Sequence, residues 1–219
     1  MDRNQFLDRV RQSLRQSSRP GEAAPLPDRG NISYQGGGPD LVATFREQLV
    51  AAGGTCHVVA DAAAAIAKVL ALAQAKSAKK ALLGHGPFVD SLALTAPLRT
   101  AGLDVLGPDG LTPQTARDPF FAADVGITGV DYLIAETGSV VLLAKPGEPR
   151  SFSLLPPVHI AVAERRQILP DLFDLFAGRK EMPSGLVLIT GPSKTGDIEL
   201  KLVTGVHGPG EIHVVVVDG

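Results

Sequence analysis

The sequence predicts an α/β fold: three layers, with a mainly parallel sheet in the middle and helices on both faces. Two observations carry this. Short runs such as Val158–Ala163, Leu186–Thr190 and His213–Val217 are apolar almost throughout, without the alternation of a half-exposed strand. Such runs fit strands buried on both faces. Between them lie segments with helical caps, so strand and helix alternate as in parallel sheets. A third observation sets the scale: 219 residues, 44% hydrophobic, provide one substantial core.

Taken in order, Asp2 to about Gln16 carries Phe6, Val10 and Leu14 at helical spacing, a narrow apolar stripe. Ser17–Gly38 is rich in Ser, Pro, Gly and Arg and reads as a linker arm. Residues 1–38 are therefore expected to be a helix plus arm, and 39–219 a single domain. The helix either docks on a neighbour or is a frayed terminus. Leu41–Ala52 reads as a helix closed by Gly53-Gly54, Cys56–Val59 as a strand, and Asp61 as the cap of an Ala-rich helix reaching Ala75. Lys80–Leu83 and Asp104–Leu106 read as strands. Val125–Ala135 and Val140–Ala144 flank Glu136-Thr-Gly-Ser139 and are expected to be two strands joined by a tight turn. Leu169–Phe176 and Asp197–Val203 are expected to be helices.

Composition excludes several classes. A net charge of −2 lacks the electrostatic footprint of a nucleic-acid-binding protein. The single cysteine, Cys56, excludes an intrachain disulfide and any iron–sulfur or cysteine-based zinc site built by this chain alone. The polar N-terminus is no signal peptide, and no apolar run reaches the length of a membrane span, so the expected location is cytoplasmic. Neither a G-x-G-x-x-G fingerprint nor a G-x-S-x-G elbow is present. Cys56 and His57 are adjacent in a strand and point to opposite faces, so adjacency makes no catalytic dyad.

Candidate site residues fall in three loops, which the rule for open α/β sheets places at the carboxyl ends of strands. In Glu136-Thr137-Gly138-Ser139, the carboxylate and hydroxyls serve either a ligand or nucleophilic role, or the needs of a hairpin turn. Gly191-Pro-Ser-Lys-Thr-Gly-Asp-Ile-Glu199 is nearly a P-loop, but Asp197 and Ile198 stand where that motif needs Lys and Ser/Thr. A carboxylate there repels nucleotide phosphates, which argues against an ATPase. Ser193, Lys194 and Thr195 would instead donate to another anion at a helix N-terminus, with Asp197 either in the site or capping the helix. The third loop holds His207, an acid/base candidate or a structural histidine. His159 and the His85 of Gly84-His-Gly86 are weaker candidates, since a strand-entry histidine is usually satisfied within the core. The five histidines show no H-E-x-x-H or H-x-x-x-H spacing, so no metal site is expected from sequence.

Several ordered motifs together carry a resemblance. They are Gly126-Ile-Thr-Gly-Val-Asp-Tyr-Leu-Ile-Ala-Glu-Thr-Gly-Ser139, Ser153-Leu-Leu-Pro156 with His159-Ile160, the Gly191–Glu199 loop, and Gly205-Val-His-Gly-Pro209. Across roughly residues 122–219 the chain resembles the lactate-utilisation (LUD-domain) family, most closely its stand-alone C-type branch. The resemblance implies a fold like the sugar-phosphate isomerase and CoA-transferase class (NagB/RpiA/CoA transferase-like). It also implies a subunit of a system that oxidises L-lactate to pyruvate, with iron–sulfur clusters on partner subunits and no cofactor in this chain. Where many members carry a cysteine this chain has Val130, against a catalytic thiol there. The resemblance transfers no catalytic residues, so positions alone nominate Glu136, Asp197 and His207 for chemistry. By the same reasoning Thr137, Gly138, Ser139, Ser193, Lys194, Thr195, Glu199 and His159 are expected to bind a small anionic ligand. Two other readings stay open: a stand-alone acyl- or carboxylate-activating enzyme working through Glu136, and a non-catalytic assembly subunit, with homo-oligomers possible in either case.

Overall fold

The computed structural model describes residues 2–17, 36–109, 117–177, 183–196 and 202–219. In chain order its helices are α1 (Arg3–Ser17), α2 (Leu41–Ala51), α3 (Ala62–Ala75), α4 (Pro87–Ser91), α5 (Thr95–Thr100), α6 (Arg117–Phe121), α7 (Ser151–Leu154) and α8 (Leu172–Phe176). The first seven strands are β1 (Thr55–Val59), β2 (Lys80–Leu83), β3 (Asp104–Leu106), β4 (Val125–Gly129), β5 (Tyr132–Ile134), β6 (Ser139–Leu143) and β7 (Val158–Glu164). They are followed by β8 (Ile168–Leu169), β9 (Leu186–Ile189), β10 (Lys194–Thr195), β11 (Val203–Thr204) and β12 (Glu211–Val217).

The chain divides into two compact units, Met1–Ser33 and Tyr34–Gly219. In the first, Asp2 and Gln5 cap α1 reciprocally: Gln5 N donates to Asp2 Oδ1 at 2.9 Å and Asp2 N to Gln5 Oε1 at 3.1 Å. Phe6 and Val10 on this helix are exposed.

In the second unit, six strands form one parallel sheet in the order β1-β12-β7-β4-β2-β3. One face carries Ile127, Ile160, Val162 and Val215, packed under Ala65, Val69 and Ala73 of α3, Val89 of α4 and Leu98 of α5. The opposite face carries Ala161, Ala163, Val214 and Val216, covered by Val42, Phe45 and Leu49 of α2 and by Leu133 and Val140 of a second sheet. Asp61 caps α3 as the sequence predicts, accepting from the Ala64 amide, and Asp40 caps α2, accepting from the Val42 and Ala43 amides.

The second sheet, in the order β8-β5-β6-β9, changes the expected layout. The run Val125–Ala135 is two strands in two sheets: β4 pairs parallel with β2 and β7, whereas β5 pairs antiparallel with β6. Asp131 marks the break, its carboxylate accepting from Leu143 N at 2.7 Å. The predicted turn is retained between β5 and β6. Gly138, with φ 63°, lies so close to the Gln48 and Leu49 backbone that no side chain fits. β9 leaves the parallel sheet to pair antiparallel with β6, and α8 is shorter than expected because Ile168–Leu169 pairs with β5. Of the helix expected over Asp197–Val203, residues 197–201 lie outside the described residues, and Val203 pairs with Thr195 in the β10–β11 ribbon.

Candidate functional site

Two clefts flank the contact between the sheets, and they share Ser153 and Val187. The first opens at the amino end of the parallel strands. Gly205–Gly210 leads into β12, and the loop after β9 folds onto it: Ser193 N donates to Pro209 O at 2.8 Å, and Gly205 N to Ser193 O at 2.9 Å. Lys194 Nζ donates to Ala52 O at 2.6 Å, just before β1. The cleft brings together His159, Ser193 and His207, three of the residues expected to form a site, with Thr190 and Gly208. A chain of hydroxyls joins it to the β5–β6 turn: Thr137 Oγ1 to Ser139 Oγ at 2.7 Å, and Ser139 Oγ to Thr190 Oγ1 at 2.6 Å.

Three features differ from the expected site. The loop feeds β10 instead of a helix, so the anion-binding helix terminus is absent from its described part, and the Ser193 amide is already paired. The cleft lies at the amino edge because a loop that precedes a parallel strand cannot be at its carboxyl end. Glu136 sits half-buried in the β5–β6 turn, its amide donating to Pro170 O at 3.0 Å, and borders neither cleft. Thr195 is buried in β10, while Asp197 and Glu199 lie outside the described residues.

The second cleft lies at the carboxyl ends of β2 and β4, bordered by Gly84–Gly86 and Gly129–Asp131. Its polar groups are Thr128, Asp131, Lys145, Glu148, Arg150 and Ser153, with His85 at the mouth. Lys145 Nζ lies 2.8 Å from Asp131 and 3.9 Å from Glu148. Gly126 lets this wall close, because a side chain there would strike the Phe152 carbonyl of α7.

Electrostatics differ between the two clefts. Burial alone would lower the Lys145 pKa, but its bond to Asp131 and the carboxylates of Asp131 and Glu148 outweigh this and raise it, keeping the ammonium charged. Burial raises the Glu148 pKa against the pull of Lys145, so its neutral form becomes more accessible. His85 is raised by its bond to Asp90, 3.1 Å away, helped by Asp109. In the amino-edge cleft, complete burial pushes His159 down to about 4, which keeps it neutral. Its Nε2 meets Thr128 Oγ1 at 2.9 Å, and its Nδ1 has no hydrogen-bond partner among the described residues. Cys56 packs on one face of its strand while His57 stacks on His213 on the other, and burial pushes the thiol up to about 11. It is an inert core residue.

The sequence motifs across this region match the LUD domain profile over residues 42–217. The chain belongs to the LUD-domain family. Curated relatives include a Halalkalibacterium halodurans protein named lactate utilization protein C, 35% identical over 65% of this chain and 64% of that one. A Macrococcus caseolyticus protein of the same name is 44% identical over 44% of this chain and 45% of its own. These matches thus span about half to under two thirds of the relatives' lengths. A crystal structure of a DUF162-family protein from Deinococcus radiodurans superposes with a TM-score of 0.53 at 24% identity, covering 81% of this chain and 96% of that one, and shares its fold.

For this LUD-family chain, sequence reading missed the charged members of the carboxyl-edge cleft. Lys145, Glu148 and Arg150 lie in Ala144-Lys-Pro-Gly-Glu-Pro-Arg150, a charged Pro/Gly loop directly after an apolar strand. That position was the available signal. Thr128 is a lone hydroxyl inside an apolar run, and only the fold shows that it faces a cleft.

Proposed function

We propose that this protein serves lactate utilisation as a non-redox subunit, holding a small carboxylate in the carboxyl-edge cleft while partner subunits carry iron–sulfur clusters. The relatives' names point to the process. The observation that supports the ligand class is the meeting of Lys145 and Arg150 with the Thr128 and Ser153 hydroxyls at the carboxyl ends of β2 and β4. A 2-hydroxy or 2-oxo acid needs both kinds of contact: cations for the carboxylate and hydroxyls for the neighbouring oxygen. Lys145 would trade part of its pairing with Asp131 for the ligand, and a protonated Glu148 would remove one of the two carboxylate charges beside it. The division of labour rests on the single, buried cysteine, which cannot by itself ligate a cluster.

The test is purification of the tagged protein from its own cells. Iron–sulfur proteins are expected to accompany it, with L-lactate oxidation present in that assembly and absent from the isolated chain. Oxidation of L-lactate by the isolated chain, or a partner set free of iron, would overturn the proposal.

A further inference from the structure

We infer that His85 reads the oxygen on the ligand's second carbon, and so sets the carboxyl-edge cleft to take 2-hydroxy and 2-oxo acids over plain short-chain carboxylates. This rests on the carboxylate reading of that cleft and deepens it. Gly84 N donates to Ile127 O at 2.8 Å, which prolongs the pairing of β2 with β4. His85 therefore stands just beyond the sheet at its carboxyl edge, where ligands of open α/β sheets bind. Gly86 then turns with φ 153° and ψ 149°, a shape that residues with side chains rarely adopt. Asp90 of α4 fixes the turn and the ring together: its Oδ2 accepts from Gly86 N at 3.2 Å, and its Oδ1 lies 3.1 Å from His85 Nδ1. Nδ1 is thus engaged by the aspartate, and Nε2 is left for the mouth of the cleft.

Nε2 is open and loosely held. The His85 side chain is 44% exposed, and its Nε2 lies 3.4 Å from Asp109, whose own side chain is 92% exposed. A pair so open to water contributes little and yields readily to a ligand. His85 lines the same cleft as Lys145 and Arg150, and its charge and that of Asp90 act across the mouth on Glu148, whose pKa burial raises. A carboxylate held by the two cations keeps its second carbon beside them, and a carbonyl oxygen there needs a donor. The nearby hydroxyls are already engaged: Ser153 Oγ donates to Arg150 O at 3.1 Å, and Thr128 Oγ1 meets His159 Nε2 at 2.9 Å. The imidazole answers to either form of the ligand. Protonated, Nε2 donates to a 2-oxo group; neutral, with Nδ1–H on Asp90, Nε2 accepts from a 2-hydroxyl. The bond to Asp90, helped by Asp109, raises the His85 pKa and so favours the donor form.

The test is calorimetric titration of the full chain at neutral pH with pyruvate, L-lactate and propionate. All three are carboxylates of equal carbon number, and only propionate lacks the oxygen on the second carbon. The wild-type chain is expected to prefer pyruvate and L-lactate over propionate by about tenfold or more. His85→Ala should cut that ratio by about tenfold, the effect of losing one charge-assisted hydrogen bond. His85→Phe keeps a ring and removes both nitrogens, so it should cut the ratio alike and serves where His85→Ala does not fold. If the wild-type chain binds propionate as tightly as pyruvate, the carboxylate reading stands and the inference falls. Binding of none of the three would overturn both. A ratio unchanged in the folded His85 variants would assign the second oxygen to Thr128 and Ser153, overturning the inference while leaving the carboxylate reading intact.

Discussion

His159 and Lys145 show how burial gives two ionisable groups opposite tasks. His159 has no charged partner to offset desolvation, so its folded pKa of about 4 lies below the ordinary 6.5. The unfolded chain therefore takes up a proton first as pH falls. His159's contribution to stability is complete above pH 6.5 and is lost progressively down to about 4, a change of ~3 kcal/mol. Urea denaturation across this range should show that decline, and His159→Gln should reduce it by a similar amount. His57 and His213 add to the loss in the same direction: burial lowers both, and charge from His213 further lowers His57. In the other cleft the sign reverses. Glu148 is already raised by burial, and an anion beside it would raise it further, so carboxylate binding should take up a proton. The affinity for pyruvate should rise as pH falls from neutral toward the raised Glu148 range, as measured by calorimetry at several pH values.

At the scale of elements, the β5–β6 hairpin depends on one glycine. Gly138→Ala would place a methyl group against the α2 backbone at positive φ and should destabilise the fold by ~2–4 kcal/mol, read as a lower midpoint in chemical denaturation. The elements that were legible in the sequence are those whose signal is local. Gly53-Gly54 closes α2, Asp61 announces α3, and the unbroken apolar runs announce β7 and β12. The elements that were not legible depend on partners distant in the chain. β9 has the apolar character of a buried parallel strand, yet it pairs antiparallel with β6. β4 and β5 read as one strand because nothing between Gly129 and Tyr132 but the Asp131 side chain marks the change of sheet. Helices α4, α6 and α7, of four or five residues, are too short for a period to show. The site followed the same division. Ser193 and His207 are named from their loops and His159 from its strand entry, but which edge they occupy follows from strand direction. Lys145, Glu148 and Arg150 meet Thr128 and Ser153 only through folding.

At the scale of the whole molecule, every described core cluster is built from residues between Val42 and Val217. Gly37 belongs with them, since Thr44 Oγ1 donates to its carbonyl at 2.6 Å. Removing residues 1–33 should therefore leave a folded protein whose melting temperature changes by no more than about 2 °C, as checked by calorimetry. Two clefts flank the contact between the two sheets, and the one at the carboxyl edge gathers the charged side chains of Asp131, Lys145, Glu148 and Arg150. The account's central claim is that the charged cleft holds a small carboxylate, and isothermal titration with pyruvate and L-lactate tests it most directly. The wild-type chain should bind at least one of them with 1:1 stoichiometry. Lys145→Gln and Arg150→Gln, folded by circular dichroism, should each weaken that binding by about ten- to a hundredfold, the effect of losing one charge-assisted hydrogen bond. Equal binding by both variants, or none by the wild-type protein, would contradict it.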